Sequence, residues 1–325
     1  MSQEDVLIHN VSPSGNVEAI VQQDGRSIYM YLRGSDDLKG FGLRPVWVRN
    51  LLPAPETFSR EDAANGVPPL LPKRFCAHPE GGELPDGRNL RIVWLEECDS
   101  AALTEMGEIL AIVPGWSGEE GFHGYARDCN GDTPVAWALP ANTAADSIVA
   151  RVEQAREYWS DWDSDRVWTP FQKEALGSIE QEFGEVSEYF SIDGKKWPPR
   201  FMVQVDGAET TWLLTGGMCL RPMPRVEMYV SQFKESRRIE LGAAVPHADK
   251  HLVDVYQRWM AGLSGLPWDN CTWLGDGHTV PVPATESSAG TFSKIRFQFS
   301  DEPRFALPAF RGDPVRRLWM TPDFT

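Results

Sequence analysis

The sequence predicts an α+β fold of two domains, with mostly antiparallel or mixed sheets and packed helices, and three observations carry this. The chain has 325 residues, beyond the size at which one hydrophobic core usually suffices. Strand-like and helix-like stretches follow one another irregularly, without the βαβα alternation of a doubly wound sheet. The charge is also uneven: residues 1–147 carry 22 Asp/Glu against 11 Lys/Arg, while residues 148–325 carry 25 against 20. A boundary at 145 follows, with an acidic, largely β N-terminal domain (1–145) and an α+β domain (146–325).

Taken in order, "NVEAIVQQDGRSIYMYLRG" sets Asp24-Gly25 between two alternating apolar runs, the short-range signal of a hairpin. Ile28, Met30 and Leu32 fall on one face, and Tyr29 and Tyr31 on the other. "FGLRPVWVRNLL", "NLRIVWLEE" and "EILAIVPGW" are further strands. Ser59 and Asp99 are N-cap candidates for short helices. The Pro/Gly-rich run "PAPETFSREDAANGVPPLLPKRFCAHPEGGELPDGRN" has the composition of a mobile excursion.

Beyond residue 141 the texture changes. Ser147 can cap a helix whose Ile148, Val152, Ala155, Trp159 and Trp162 share a face. A second helix is punctuated by Thr169 as N-cap, Pro170 at the first position, Gln172 at the capping-box position and Gly184 as its stop, with Phe171, Ala175, Leu176, Ile179 and Phe183 inward. "SEYFSI", "RFMVQV" and "ETTWLLTGG", separated by Asp193-Gly194 and Asp206-Gly207, form an antiparallel meander. "RRIELGAAV" is another strand, "HADKHLVDVYQRWMAGL" an amphipathic helix, and "TFSKIRFQFS" an alternating strand that sets Phe292, Lys294, Arg296 and Gln298 against Ser293, Ile295, Phe297 and Phe299.

A net charge of −16 opposes nucleic acid and anionic membrane as partners. Met1–Asn10 shows no basic and apolar leader, and nowhere do about 18 uncharged apolar residues run together, so a cytoplasmic chain is expected. Cys76, Cys98, Cys129, Cys219 and Cys271 are odd in number and scattered, which suits free buried thiols in a reducing compartment. The 13 Trp suit both packed cores and binding surfaces.

One run poses the functional question. In "WLLTGGMCLRPMPRVE" (212–227) a strand stops at Gly216-Gly217, passes a Met-Cys pair and meets Pro222 and Pro224. The residue types suit a strand that bends at a sheet edge, or an adaptable apolar groove beside Trp212, Met218 and Met223. A phosphate cradle would need a following Gly-Lys-Ser/Thr, which is absent.

Taken together, "TTWLLTGGMCLRPMP", "RRIEL" with "AAVP", the helix "LVDVYQRWMAGL", the turn "LGDGHTV" and the lead-in "YFSIDGKKWPP" resemble the suppressor of fused (SUFU-like) domain, over residues 150–290. Cys219 stands where that family often has Ser. The resemblance implies a scaffold that binds other proteins: animal members clamp an extended peptide of Gli-type transcription factors, and bacterial members look like partners or immunity proteins of toxin systems. Residues 1–145 look like the extra N-terminal region of some bacterial members.

Other constellations point to chemistry. "GWSGE" (115–119) approaches a nucleophile elbow, with Ser117 and His123, but Glu119 replaces the last glycine. His247 and His251 are spaced to share a metal with Asp254, yet a surface pair is the commoner outcome of such spacing. Cys76, His78, Cys98 and Cys129 fit no zinc spacing. Glu96, Glu97 and Asp99 could supply paired carboxylates. His278 in a Gly-rich turn suits a bond to local backbone.

The expectation is therefore a non-enzymatic SUFU-like module that binds, and sequesters or neutralises, a protein partner. No cofactor, metal, nucleic acid or membrane is expected. Its binding groove would comprise Trp212, Met218, Met223, Trp268 and Trp273. The alternative is a hydrolase using carboxylates of the N-terminal domain.

Overall fold

The structure is a computed structural model that describes residues 5–141, 144, 147–281, 294–300 and 307–323. It is α+β, with helices and three antiparallel or mixed sheets. The chain divides into two compact units, Met1–Ser160 and Asp161–Thr325.

In the first unit, β1 (Asp5–Val11), β2 (Val17–Gln23), β3 (Ser27–Gly34) and β4 (Leu43–Asn50) form an antiparallel sheet in sequence order. The β2–β3 hairpin turns at Asp24, whose Oδ1 accepts the N–H groups of Arg26 (2.8 Å) and Ser27 (2.9 Å). Ile28, Met30 and Leu32 are fully buried, so the alternation predicted for β3 holds. A short helix, α1 (Arg60–Ala64), starts where Ser59 Oγ accepts the Asp62 N–H at 3.0 Å, the cap expected there. The Pro/Gly-rich excursion around it is fastened at several points. Leu71 exchanges two hydrogen bonds with the buried Asn50 side chain (2.9 and 2.8 Å), and Gly82 N–H reaches Asn50 O at 2.8 Å.

A second sheet runs β5 (Leu90–Trp94), β6 (Ala101–Glu105), β7 (Glu108–Val113), β8 (Tyr125–Ala126) and β9 (Trp137–Ala138), with only the last pair parallel. The helix expected from Asp99 is instead β6. Cys98, at φ 59°, closes a tight turn after β5, and Ala101–Glu105 pairs with β5 and β7 on both sides, so tertiary pairing overrides the helical preference of the alanines. The unit ends within α2 (Ile148–Asp163), capped by Ser147 Oγ on the Ala150 N–H at 3.2 Å. Ile148 and Val152 pack with Leu95, Ala102, Ile109 and Ile112, which ties the start of this helix to the first unit.

The second unit opens with α3 (Trp168–Phe183). Val167, not Thr169, is its cap residue: Phe171 N–H already bonds Val167 O at 3.1 Å, and the Thr169 hydroxyl instead turns back to Asp165. Gly184, at φ 110°, ends the helix as expected. The sheet comprises β10 (Val186–Ser191), β11 (Phe201–Asp206), β12 (Thr210–Gly216), β13 (Ile239–Pro246), β14 (Thr279–Pro281), β15 (Lys294–Phe299) and β16 (Arg316–Asp323), in the order β10-β11-β12-β13-β16-β15-β14. All pairs are antiparallel except β13–β16. Short helices α4 (Val226–Tyr229) and α6 (Leu266–Asp269) flank α5 (Val253–Leu263). Phe292 and Ser293 of the predicted alternation, and residues 282–290 of the stretch resembling SUFU, lie outside the described residues.

This sheet buries both faces. On one, Leu213, Leu241, Ala243, Leu318 and Met320 meet Tyr256, Trp259 and Met260 of α5. On the other, Val203, Val205, Leu214 and Trp319 meet Ile179, with Phe171 and Phe183, of α3. Near-continuous apolar strands are the sequence mark of such a two-sided sheet, and charged residues among them are the anomaly to explain.

Candidate functional site

The run "TGGMC" supplies the first part of the site. Gly216 lies against the Phe201 ring, and Gly217, at φ 101°, lies against Pro199 O and the Arg200 backbone, so a side chain at either would collide. The chain then enters a single 3-10 turn, Met218–Leu220. Its free N–H groups point at a carboxylate. Gly217 N–H and Cys219 N–H donate to Glu240 Oε1 at 2.9 and 3.0 Å, and the Thr215 hydroxyl donates to Glu240 Oε2 at 2.7 Å. The motif is a cradle for an internal carboxylate.

"RRIEL" supplies the second part. Residues i and i+2 of an extended chain share a face, so Arg238, immediately before β13, and Glu240 within it reach the same turn. Glu240 takes its N–H groups, while Arg238 Nη1 donates to Cys219 O (2.9 Å) and Leu220 O (3.1 Å). Asp313 anchors Arg238 and Arg237 through Nε at 2.8 and 2.7 Å. Both ends of the turn are thereby satisfied in a region where an unpaired polar group costs about 1–3 kcal/mol.

The third part is Arg317. It sits directly beside Glu240 in the parallel β13–β16 ladder and is 4% exposed. Gly242 leaves room for it, since a side chain there would meet Arg317 Cδ and the Trp319 ring. Its guanidinium carbon stands 5.5 Å from the Phe183 ring centroid and 5.9 Å from that of Trp319. Nε and Nη2 are buried and have no hydrogen-bond partner. Burial pushes its pKa down to about 10, which leaves it a cation at neutral pH. Burial pushes the Glu240 carboxyl above its usual range, against the pull of its donors and of Arg317.

Above this floor, within the second unit, lies a cavity of about 270 Å³. Phe171, Ala175 and Ile179 of α3 form one wall, Pro308 and Phe310 another, and Gly216, Cys219, Glu240 and Arg317 the base. Asp161 at the mouth pairs with Arg166 (2.8 Å) and Arg311 (2.9 Å). The shape is that of a small binding pocket: apolar walls with a few convergent polar groups. Cys219 lies within it, but burial and the neighbouring Glu240 carboxylate raise its pKa well above the ordinary thiol value, so it stays a thiol and not a nucleophile.

The five residues predicted to make a groove do not assemble as one exposed surface, and that expectation is corrected. Met218 (0% exposed), Met223 (2%) and Trp268 (4%) belong to the core on the α5 face, and Trp268 Nε1 is spent on Pro222 O at 2.8 Å. Trp273 is half-buried at the edge of that core, stacked on Tyr229 at 6.3 Å. Trp212 points to the opposite face, against Phe183 and Trp319 (5.3 and 5.8 Å). The cause is strand alternation: Trp212 and Leu213 must face opposite ways. The cavity residues Glu240 and Arg317 were missed, although charges set within apolar strands were the available signal.

The remaining constellations resolve locally. The Ser117 hydroxyl donates to the backbone carbonyl of His123 at 2.5 Å and not to its imidazole. Glu97 is buried and bound by Arg151 Nη2 at 2.8 Å, and Asp99 is buried in the tight turn after β5. His247 and His251 are both exposed, in a turn interrupted at Asp249. Among the described residues no group of three or more His, Cys, Asp or Glu is arranged to hold a metal ion. His278 Nδ1 accepts the Gly275 N–H at 3.3 Å, the local bond expected of it. No helix among the described residues is long and apolar enough to cross a membrane.

No family model matches this chain, and no curated protein does. A solved structure from Neisseria gonorrhoeae, described as a candidate SUFU (suppressor of fused protein) homolog, is similar at 14% identity, over 48% of this chain and 78% of that one, with a TM-score of 0.32.

Proposed function

We propose that this chain is a non-enzymatic, SUFU-like protein-binding module, and that the cavity of the second unit receives an apolar side chain of the partner together with a hydrogen-bond acceptor that meets Arg317. One observation carries the reading: a preformed apolar cavity is lined at its base by Arg317, a buried guanidinium two of whose donors have no partner. Such donors strongly favour an acceptor in a site that excludes water. The order "TGGMC", "RRIEL", then helix, on which the resemblance rests, supports the SUFU-like part, and in this chain the first two form a single hydrogen-bonded unit under the cavity. A sequestering role, of the immunity type or otherwise, is the corresponding biological proposal.

The test is an affinity capture from the host lysate at two salt concentrations, with the wild-type chain and with Ala175→Phe, which fills the cavity from α3. A stoichiometric partner held by the wild type and lost by a folded Ala175→Phe variant supports the reading. A partner retained equally by both, or none at either salt, contradicts it.

A further inference from the structure

The first unit contains a pair of cysteines that the binding function does not use. Cys76 and Cys129 face each other across an isolated antiparallel bridge. The hydrogen bonds flanking it run from Ala77 N–H to Asp128 O (2.9 Å) and from Asn130 N–H to Phe75 O (2.8 Å). That pattern makes Cys76 and Cys129 a non-hydrogen-bonded pair, whose Cα atoms stand about 4.5 Å apart with side chains on the same face. A disulfide needs Cα atoms about 4.4–6.8 Å apart. The residues are 6% and 3% exposed, and in the reduced chain each thiol donates to a carbonyl, Cys76 to His78 O at 3.3 Å and Cys129 to Gly131 O at 3.1 Å.

We propose that Cys76 and Cys129 are a disulfide-forming pair, a covalent modification site that locks the Pro/Gly-rich excursion onto the segment following β8. With a small-molecule disulfide as oxidant, one thiolate attacks its S–S bond and releases one small thiolate, leaving a mixed disulfide. The second cysteine then displaces the other small thiol, so the protein loses two electrons and two protons and the oxidant becomes two thiols. Burial raises the pKa of both cysteines, so the reduced pair is quiet until local opening exposes it.

The bridge would close a long loop in the unfolded chain, and loops of this size gain stability when cross-linked. The experiment incubates the full chain with oxidised glutathione in mild urea, counts thiols in denaturant and maps peptides by mass spectrometry. The expected result is a fall from five free thiols by two, a cross-linked peptide joining Cys76 to Cys129, and a melting midpoint raised by about 10 °C that dithiothreitol reverses. Cys76→Ser and Cys129→Ala should each abolish the cross-link, and Cys98→Ser should retain it. Five thiols remaining after oxidation, glutathione adducts without a cross-link, or a cross-link between other cysteines would overturn the proposal.

Discussion

Buried charge is handled in two ways, and the ion pairs of the first unit and the cavity floor of the second show the contrast, although the second unit also pairs Arg238 with Asp313 directly. In the first, buried ions are matched directly: Arg49 meets Asp128 at 2.6 Å and Arg151 meets Glu97 at 2.8 Å. In the second, Glu240 is held by two backbone N–H groups and a hydroxyl, while its neighbour Arg317, in the lining of a cavity, has two buried donors without a partner. Direct pairing fastens elements and leaves nothing over. A carboxylate satisfied by the backbone leaves a nearby cation available, and this separates a structural ion pair from a candidate binding group.

The largest expected effect comes from removing the carboxylate of the second unit. Glu240→Leu strands three donors and removes the nearest counter-charge of Arg317, leaving only Glu182, for a loss of about 3–5 kcal/mol in urea unfolding. Glu97→Gln with Arg151→Met sharpens the contrast. Either single change should cost about 3 kcal/mol and the double change much less, because replacing both partners of a buried pair is tolerated. A double variant no better than its worse single would remove the distinction between the two arrangements.

Gly217→Ala comes next, at about 1–3 kcal/mol, since it forces a left-handed residue against the Pro199 carbonyl. The pH dependence should be specific to Glu240. Its pKa is raised on folding, so the folded state binds the extra proton. The stabilisation is complete below the ordinary carboxylate value and fades as pH rises through the folded value. Wild type should therefore lose stability relative to Glu240→Gln as pH increases from 4 upward; an unchanged difference would contradict the burial account. The smallest effect is expected at the mouth, where Asp161→Asn breaks partly exposed ion pairs and should cost under about 1 kcal/mol.

Much of the fold was legible because its signals are local. The Asp24 turn, the Ser59 and Ser147 caps, the Gly184 stop and the β12 and β13 apolar runs each follow from a few adjacent residues. Where a distant partner decides, the reading fails: Arg316–Asp323, with Pro322 inside, gives no hint that it inserts between β13 and β15. Ala101–Glu105 is a different miss, because the sequence marks strands on both sides of it while the Asp99 cap signal points to a helix. The site was less legible still. "TGGMC" was conspicuous, but its meaning depends on Glu240, 21 residues beyond Cys219, and on Arg317 at the far end of the chain. The apolar residues of the same run attracted a groove assignment that strand alternation then divided between two faces.

The most direct test of the cavity as a binding site is the side-chain Nε–H resonance of Arg317 in 15N-labelled protein, assigned with Arg317→Met and titrated with 3-phenylpropionate as a probe of an apolar group bearing an acceptor. The account predicts a saturable shift of that resonance, lost in Ala175→Phe and much weaker with 3-phenylpropanol. A resonance that stays in place while the protein remains folded and the probe reaches millimolar concentration would contradict it.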